Sequence, residues 1–569
     1  MKHLIKIEST VHGVLGVRHA GRDQQYCEAG ELVTLKWQPD AGWGLKEACY
    51  KDAGGNVTPI SLIPTKINGK DVVTFTMPDA NIVVGGVFKR FAIEDWTGKG
   101  SAFSIVGSFP TDKLPILDGF NDAGKIAFDE TKKAYVHWDG YGWATADGKP
   151  VTPRYLKFTC VDNEGNIGFL AFNDGYVLPE EYEAPKIEFS VDDGLTWNPY
   201  EVAVSDDYSD TNLIIVQQGK SVLFRGENKT LAYYLEDDND YVQFRAVIGH
   251  KFAASGDITS LLNGVGGDVA LAEYCYNFMF DGCTGLTQAP ALPATTLASG
   301  CYNSMFSGCT GLTAAPALSA TTLAESCYSS MFSGCTGLTA APALSATTLA
   351  ESCYNSMFSG CTGLTAAPAL PATTLAESCY NSMFDGCTGL TAAPALPATT
   401  LASGCYNSMF SGCTGLTAAP ALPATTLAES CYSSMFSGCT GLTAAPALPA
   451  TTLAESCYNF MFSGCTGLTA APALPATTLA EYCYNFMFDG CTGISSHDVA
   501  TLNDSQNTFQ NNTSCASLTI HADTPPTIGN NTITGLKADC TIYVPAASVD
   551  AYKAKQYWSA RAAYIQAKP

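Results

Sequence analysis

A single period governs half of the chain. The string CYNSMFSGCTGLTAAPALPATTLAES and its variants return every 26 residues, with the first cysteine of each copy at 275, 301, 327, 353, 379, 405, 431, 457 and 483. The second cysteine follows at 283, 309, 335, 361, 387, 413, 439, 465 and 491, so the Cys-containing half is present nine times. A unit of this length cannot bury its own apolar face. Units repeated without a break must therefore stack, each covering the next.

Within the first unit Leu271, Cys275, Met279 and Cys283 stand four residues apart, with Phe280 beside them. That spacing puts them on one helical stripe. Gly285 follows as a helix stop. The segment Leu286 to Pro293 is extended in character and ends in a proline turn. Each unit is thus expected to form a short helix, a tight turn and a short strand. Parallel strands stacked at about 4.8 Å would make the nine units roughly 43 Å long, around columns of identical side chains. Pro290 and its equivalents each remove a ladder donor, so the strands should be short and side-chain columns should hold the stack.

The pattern Phe-x-x-Cys-x-x-Leu with a proline-terminated strand resembles the BspA-like leucine-rich repeats of Bacteroides-type surface proteins. The ending Thr541-Ile542-Tyr543-Val544-Pro545-Ala546-Ala547-Ser548-Val549-Asp550-Ala551-Tyr552-Lys553, then Tyr557-Trp558, is similar to the cap that closes such arrays. Near the start, Thr74-Phe75-Thr76-Met77-Pro78 leading into Val83-Val84 and Phe88 resembles the close of internalin B-repeat-like β-domains, which act as spacers or adhesive modules. Lys125 to Trp143, with Asp139-Gly140 between aromatic-rich strands, resembles a hairpin of phage tail and fibre proteins. Ser190-Asp192-Gly194-Thr196-Trp197 with Val222-Phe224-Arg225-Gly226 resembles the module that precedes BspA-like repeats.

The fold class expected is multidomain: N-terminal all-β domains, a leucine-rich-repeat-like solenoid with a short strand and short helix per repeat, and a small α+β C-terminal cap. The boundaries are an internalin B-repeat-like β-domain at 1–90, a fibre-like β-rich domain at 91–182, a β-domain at 183–252, the repeats at 253–493 and the cap at 494–569.

Charge narrows the partners. The net charge is −23, and from Phe252 to Leu536 there is neither Lys nor Arg. A surface without cations cannot neutralise phosphates, so this half is not expected to bind nucleic acid or anionic lipid. No apolar run is long enough to span a membrane, and membrane insertion is not expected. The first eight residues contain no apolar leader, which predicts that standard secretion is not used.

Chemistry is sparse. No G-x-S-x-G, H-E-x-x-H, P-loop or dinucleotide fingerprint occurs, and the seven histidines flank no nucleophile, so an enzyme is not expected. Adjacent carboxylates such as Asp129 and Glu130 on a strand face opposite ways. Glu236-Asp237-Asp238-Asn239-Asp240 lacks the glycine and distal glutamate of a calcium loop and is expected as a solvated turn. The repeat cysteines lack metal-ligand spacing, and stacked cysteines would have parallel Cβ vectors that suit a disulfide poorly. Small buried hydrophobes are the expectation, with disulfides or a metal site as alternatives. The total of 23 cysteines is odd, which argues against full pairing. No cofactor is expected.

The candidate binding residues are a tyrosine column: Tyr276, Tyr302, Tyr328, Tyr354, Tyr380, Tyr406, Tyr432, Tyr458 and Tyr484. Stacked rings with an apolar face and a polar tip suit sugar rings. The alternative is that these tyrosines wrap the edge of the core. Together the resemblances imply a structural protein of a bacteriophage particle, a tail or head fibre or appendage. Its N-terminal domains would contact other virion proteins, and its repeats would attach to a host surface glycan or protein. The expected location is the virion, assembled in the host cytoplasm. A bacterial cell-surface adhesin and a spacer without a ligand are the alternatives. Homo-oligomerisation is left open, because no heptad segment specifies it.

Overall fold

The computed structural model describes residues 2–7, 13–18, 26–39, 43–52, 54, 56–60, 65–67, 70–90, 105–109, 126–129, 134–138, 143–144, 153–173, 178, 182–235, 240–504 and 507–569. The tip of the fibre-like hairpin and most of the acidic turn, Glu236 to Asn239, lie outside the described residues. The chain divides into two compact units, Met1–Arg154 and Tyr155–Pro569.

The first unit is all β. One sheet has the order Tyr26–Glu28, Lys2–Ile7, Ile82–Arg90, Trp43–Asp52, Val57–Ile60, and a second has Gly13–Arg18, Leu32–Pro39, Lys70–Thr76, Thr65–Ile67. Alternation explains their shared core. Val33, Leu35 and Phe75 from the second sheet are buried with Ile5, Ala48, Ile82 and Val84 from the first. The Phe75-Thr76-Met77 motif closes a strand, and the amide of the buried Met77 donates to the Glu31 carbonyl at 2.8 Å. The fibre-like segment forms antiparallel strands Ile126–Asp129 and Ala134–Trp138, and Trp138 pairs with Trp143 across the hairpin.

The second unit begins earlier than the sequence suggests. Leu156–Cys160 pairs with both Ser221–Gly226 and Phe252–Ser255, and Glu164–Phe172 pairs with Asp240–Gly249. Both strands therefore belong with the β-domain expected to begin at 183, and its boundary moves to Tyr155. The Ser190–Trp197 motif is a turn built around Asp192. Asp192 Oδ1 accepts from the Thr196 amide at 2.9 Å and Oδ2 accepts from the Thr196 hydroxyl at 2.7 Å. These bonds, with a further one from Ser190, hold its carboxyl down at about 2. Arg225 lies over the Trp197 ring at 4.1 Å and pairs with Glu188 at 2.7 Å. The sheet then runs into the repeats, since Phe252–Ser255 pairs in parallel with Leu286–Gln288 of the first repeat.

The repeats contain no helix where the four-residue spacing predicts one. Each Cys-to-Cys segment is instead a run of overlapping turns, and two kinds of amide alternate along it. The amides of Cys327, Ser329, Met331, Ser333 and Cys335 donate locally to the carbonyl three residues back. Those of Ser326, Tyr328, Ser330, Phe332 and Gly334 donate to Glu351, Cys353, Asn355, Met357 and Ser359 of the next repeat. An α-helix would send every amide four residues back and leave nothing for the neighbour. The turns close through left-handed residues, at φ 54° for Ser326, 53° for Ser330 and 69° for Gly334. A positive φ at the third turn position is what type II geometry requires.

Burial follows the same four-residue rhythm, two residues inward and two outward: Cys327 and Tyr328 in, Ser329 and Ser330 out, Met331 and Phe332 in, Ser333 and Gly334 out. Beyond Leu286–Gln288 of the first repeat, the proline-rich segment forms only isolated bridges, such as Thr322 with Thr348 and Thr374 with Thr400, as its missing donors predict. The stack is not held by side chains alone, because each turn run supplies the ladder that the proline segment lacks. Nor is Gly285 a left-handed helix stop. A Cβ on its equivalent Gly337 would stand 2.4 Å from the Thr310 carbonyl oxygen, so glycine is there to let neighbouring repeats approach.

The C-terminal cap is α+β. Ser496–Val499, Ser517–Ile520, Thr541–Val544 and Ile565–Ala567 form a parallel four-stranded sheet, with the helix Val549–Ala554 between the last two strands along the chain. The Val544–Tyr552 motif pins it: the Tyr552 hydroxyl donates to the Ala522 carbonyl at 2.8 Å, and Trp558 Nε1 donates to the Pro526 carbonyl at 3.0 Å.

Candidate functional site

The nine tyrosines do form a column, with successive rings stacked at 5.6–6.3 Å. The column faces inward. Tyr276, Tyr302, Tyr328, Tyr354, Tyr380, Tyr406, Tyr432, Tyr458 and Tyr484 are each 1–2 % exposed and lie beside an equally buried phenylalanine column. The Tyr276 hydroxyl donates to the Ile258 carbonyl at 3.1 Å, and burial raises its pKa well above the ordinary tyrosine value. A ring with no accessible face cannot stack on a sugar, so these residues are core. The expectation failed because a helical period sets Tyr276 to one side of the Cys–Met stripe, whereas the two-in, two-out turn rhythm turns Cys and Tyr inward together.

The cysteines are core as well. From Cys309 to Cys491, each second-column thiol donates to the carbonyl of the phenylalanine 29 residues earlier, at 2.9–3.0 Å. Cys283 does the same to Ala246 of the preceding β-domain, at 3.3 Å. Desolvation pushes Cys283 and Cys335 up to about 12, far from the thiolate form that metal binding or nucleophilic attack needs.

The exposed residues of a repeat are mainly Thr, Ala, Pro and Glu, with Ser and Asn half-buried in the turn run and aromatic exceptions at the two ends of the array. At its start Phe278 takes the left-handed position that Ser330 holds in the third repeat, at φ 54°. The Arg245 guanidinium lies 5.0 Å from that ring and pairs with Asp281 at 3.0 Å, joining the β-domain to the first repeat. Near the far end Phe460 and Phe486 occupy the same column, stacked at 4.6 Å and 4°. Tyr482 stands in the neighbouring outward column and is 46 % exposed. A hydrogen bond to Glu481, and then the charge of Glu481, raise its pKa, with Asp504 and Glu455 adding to the effect. Of these rings Tyr482 is exposed, while Phe278, Phe460 and Phe486 are half-buried. The signal was present in the sequence as the only departures from Ser and Gly in two outward columns.

Among the described residues there is no group of three or more side chains suited to hold a metal ion, and no helix is long and apolar enough to cross a membrane. On the cap, His521 Nε2 meets Asp498 Oδ1 at 2.5 Å and its Nδ1 faces Lys568 Nζ at 3.3 Å. No hydroxyl or thiol nucleophile joins this group among the described contacts. No protein-family model matches the chain, and no curated protein matches it.

Proposed function

We propose that the protein is a structural component of a bacteriophage particle, a fibre or appendage that attaches to a host surface glycan or protein through its repeats. In this reading the array is a leucine-rich-repeat-like solenoid of the BspA type. The observation that carries the reading is where the repeats differ. The inward residues Cys, Tyr, Met, Phe and Cys are the same in all nine repeats, and variation falls on partly exposed positions such as Asn303, Ser329, Ser330, Phe460, Ser307 and Asp489. A scaffold with a fixed core and a variable face is suited to presenting a surface. The Tyr482, Phe460 and Phe486 cluster is the part of that face with the chemistry for a sugar ring, offering apolar faces beside carboxylate acceptors. The fibre-like hairpin supports placement in a virion.

Mass spectrometry of purified particles tests the role. Stoichiometric presence is the expected result, and recovery from the bacterial envelope instead would replace this reading with that of a surface adhesin. Binding of the isolated protein to host cells tests the surface, with loss expected for Tyr482→Ala combined with Phe486→Ser.

A further inference from the structure

We propose that Cys515 and Cys540 form a disulfide that fastens the C-terminal cap across the last rungs of the stack. The two sulfurs face each other at 3.8 Å, the one thiol–thiol hydrogen bond among the described residues. Every second-column thiol from Cys309 to Cys491 is directed at a phenylalanine carbonyl of the preceding repeat. The pattern changes at the cap, where Phe509 continues the phenylalanine stack on Phe488 but the thiols that follow turn toward one another.

The backbone suits the bond. Ser517 pairs in parallel with Thr541, and the Thr541 amide donates to the Ala516 carbonyl at 2.9 Å. Cys515 and Cys540 lie just before these two strands, where the Cys515 amide donates to the Asn512 carbonyl and the Cys540 amide to the Lys537 carbonyl in turns, so strand alternation does not send their side chains to opposite faces. From 3.8 Å the sulfurs need only a small approach to reach the bonded distance of about 2.0 Å.

The surroundings distinguish the two sulfurs. Arg561 donates to the carbonyls of Lys537 and Ala538 at 2.9 Å, and to Leu536 at 3.1 Å, bracing the loop just before Cys540. The hydrogen bond from Cys515 lowers the Cys540 pKa, and Arg561 and Lys537 contribute in the same direction, while Cys515 is raised. Both residues are buried, so oxidation takes place while the cap folds or opens. With oxidised glutathione as the oxidant, the thiolate of one of the two attacks one glutathione sulfur and displaces a glutathione thiolate. The thiolate of the other then attacks the cysteine sulfur of the mixed disulfide and displaces the second. The two cysteines lose two electrons and two protons, and one oxidised glutathione becomes two reduced ones.

The test uses the full-length chain, unfolded under reduction and refolded in a glutathione redox buffer, then alkylated and cleaved at acidic residues for peptide mapping. The expected product is a cross-linked pair of peptides carrying Cys515 and Cys540, with the other thiols alkylated. The denaturation midpoint of the cap, followed by hydrogen exchange of Ser517–Ile520, is expected to rise on oxidation in the natural chain. No such rise is expected in Cys515→Ser or Cys540→Ala. Alkylation of both cysteines after oxidative refolding, or cross-links confined to other cysteines, would overturn the proposal.

Discussion

His497 is the residue whose surroundings are most at odds with its chemistry. Its ring lies between Phe488 and Phe509, with centroids at 4.7 and 4.6 Å, and neither ring nitrogen has a hydrogen-bond partner. Burial pushes its pKa down to about 4, with Asn512 acting weakly in the other direction. An unfolded histidine titrates near 6.5. Between those values the unfolded chain takes up a proton that the folded chain refuses, so stability is complete above pH 6.5 and falls as the pH drops toward 4. The loss for this one group is about 3 kcal/mol at most. Chemical denaturation of the cap at stepped pH is expected to show that slope, and His497→Leu is expected to flatten it while costing little at pH 7.5. An equal slope in the variant would assign the acid sensitivity elsewhere. The sequence did not reveal this histidine, because nothing local marks a residue that is buried only when Phe488 and Phe509 close over it. The tyrosine column was legible as a column and misassigned as a surface, since a period of 3.6 and a period of four diverge by a face within one short repeat.

At the scale of the element, the turn run shows why propensity alone could not find the fold. Spacing of Leu271, Cys275, Met279 and Cys283 fits a helix, but the run is decided by hydrogen bonds to a neighbouring copy, which no local window contains. A trace of the true conformation was legible even so. The column that holds Ser326, Ser352 and Ser378 has glycine at 300 and 404, all with φ between 51° and 65°. Serine there bears about 1 kcal/mol of left-handed strain. Ser352→Gly is therefore expected to be neutral or to stabilise the array by up to about 1 kcal/mol, offset in part by the freedom of glycine in the unfolded chain. Ser352→Val is expected to destabilise it by more than that, since a branched Cβ tolerates a positive φ poorly. Gly363→Ala separates the two roles of glycine in this array. Its Cβ would lie 2.4 Å from the Thr336 oxygen, and a loss of about 1–3 kcal/mol is expected. Denaturant midpoints of the three variants check the order Ser352→Gly above the natural chain, with Ser352→Val and Gly363→Ala below it.

For the molecule as a whole, the question is whether the repeats are interchangeable. The amides of Ser352, Tyr354, Ser356, Phe358 and Gly360 donate to the next repeat, as do the corresponding amides of Ser378, Tyr380, Ser382, Phe384 and Gly386. Removing residues 353–378 joins Ser352 to Cys379 and leaves every surviving repeat with a neighbour of the same inward side chains. The shortened chain is expected to fold, to keep its circular dichroism per residue, and to unfold at a slightly lower denaturant concentration, because one nearest-neighbour interface is gone. Removing the cap, residues 494–569, is a different operation. The Phe488 and Gly490 amides donate to Thr508 and Gln510 of the cap at 3.0 and 2.9 Å, and the Phe488 ring stacks on Phe509 at 6.2 Å. Without the cap, those donors and the last Tyr–Phe layer form an open, ladder-ready end that can meet the same open end of another copy. Light scattering should show the internal deletion keeping the association state of the natural chain and the cap deletion associating or precipitating. Association of both alike would mean that the cap is not what ends the stack.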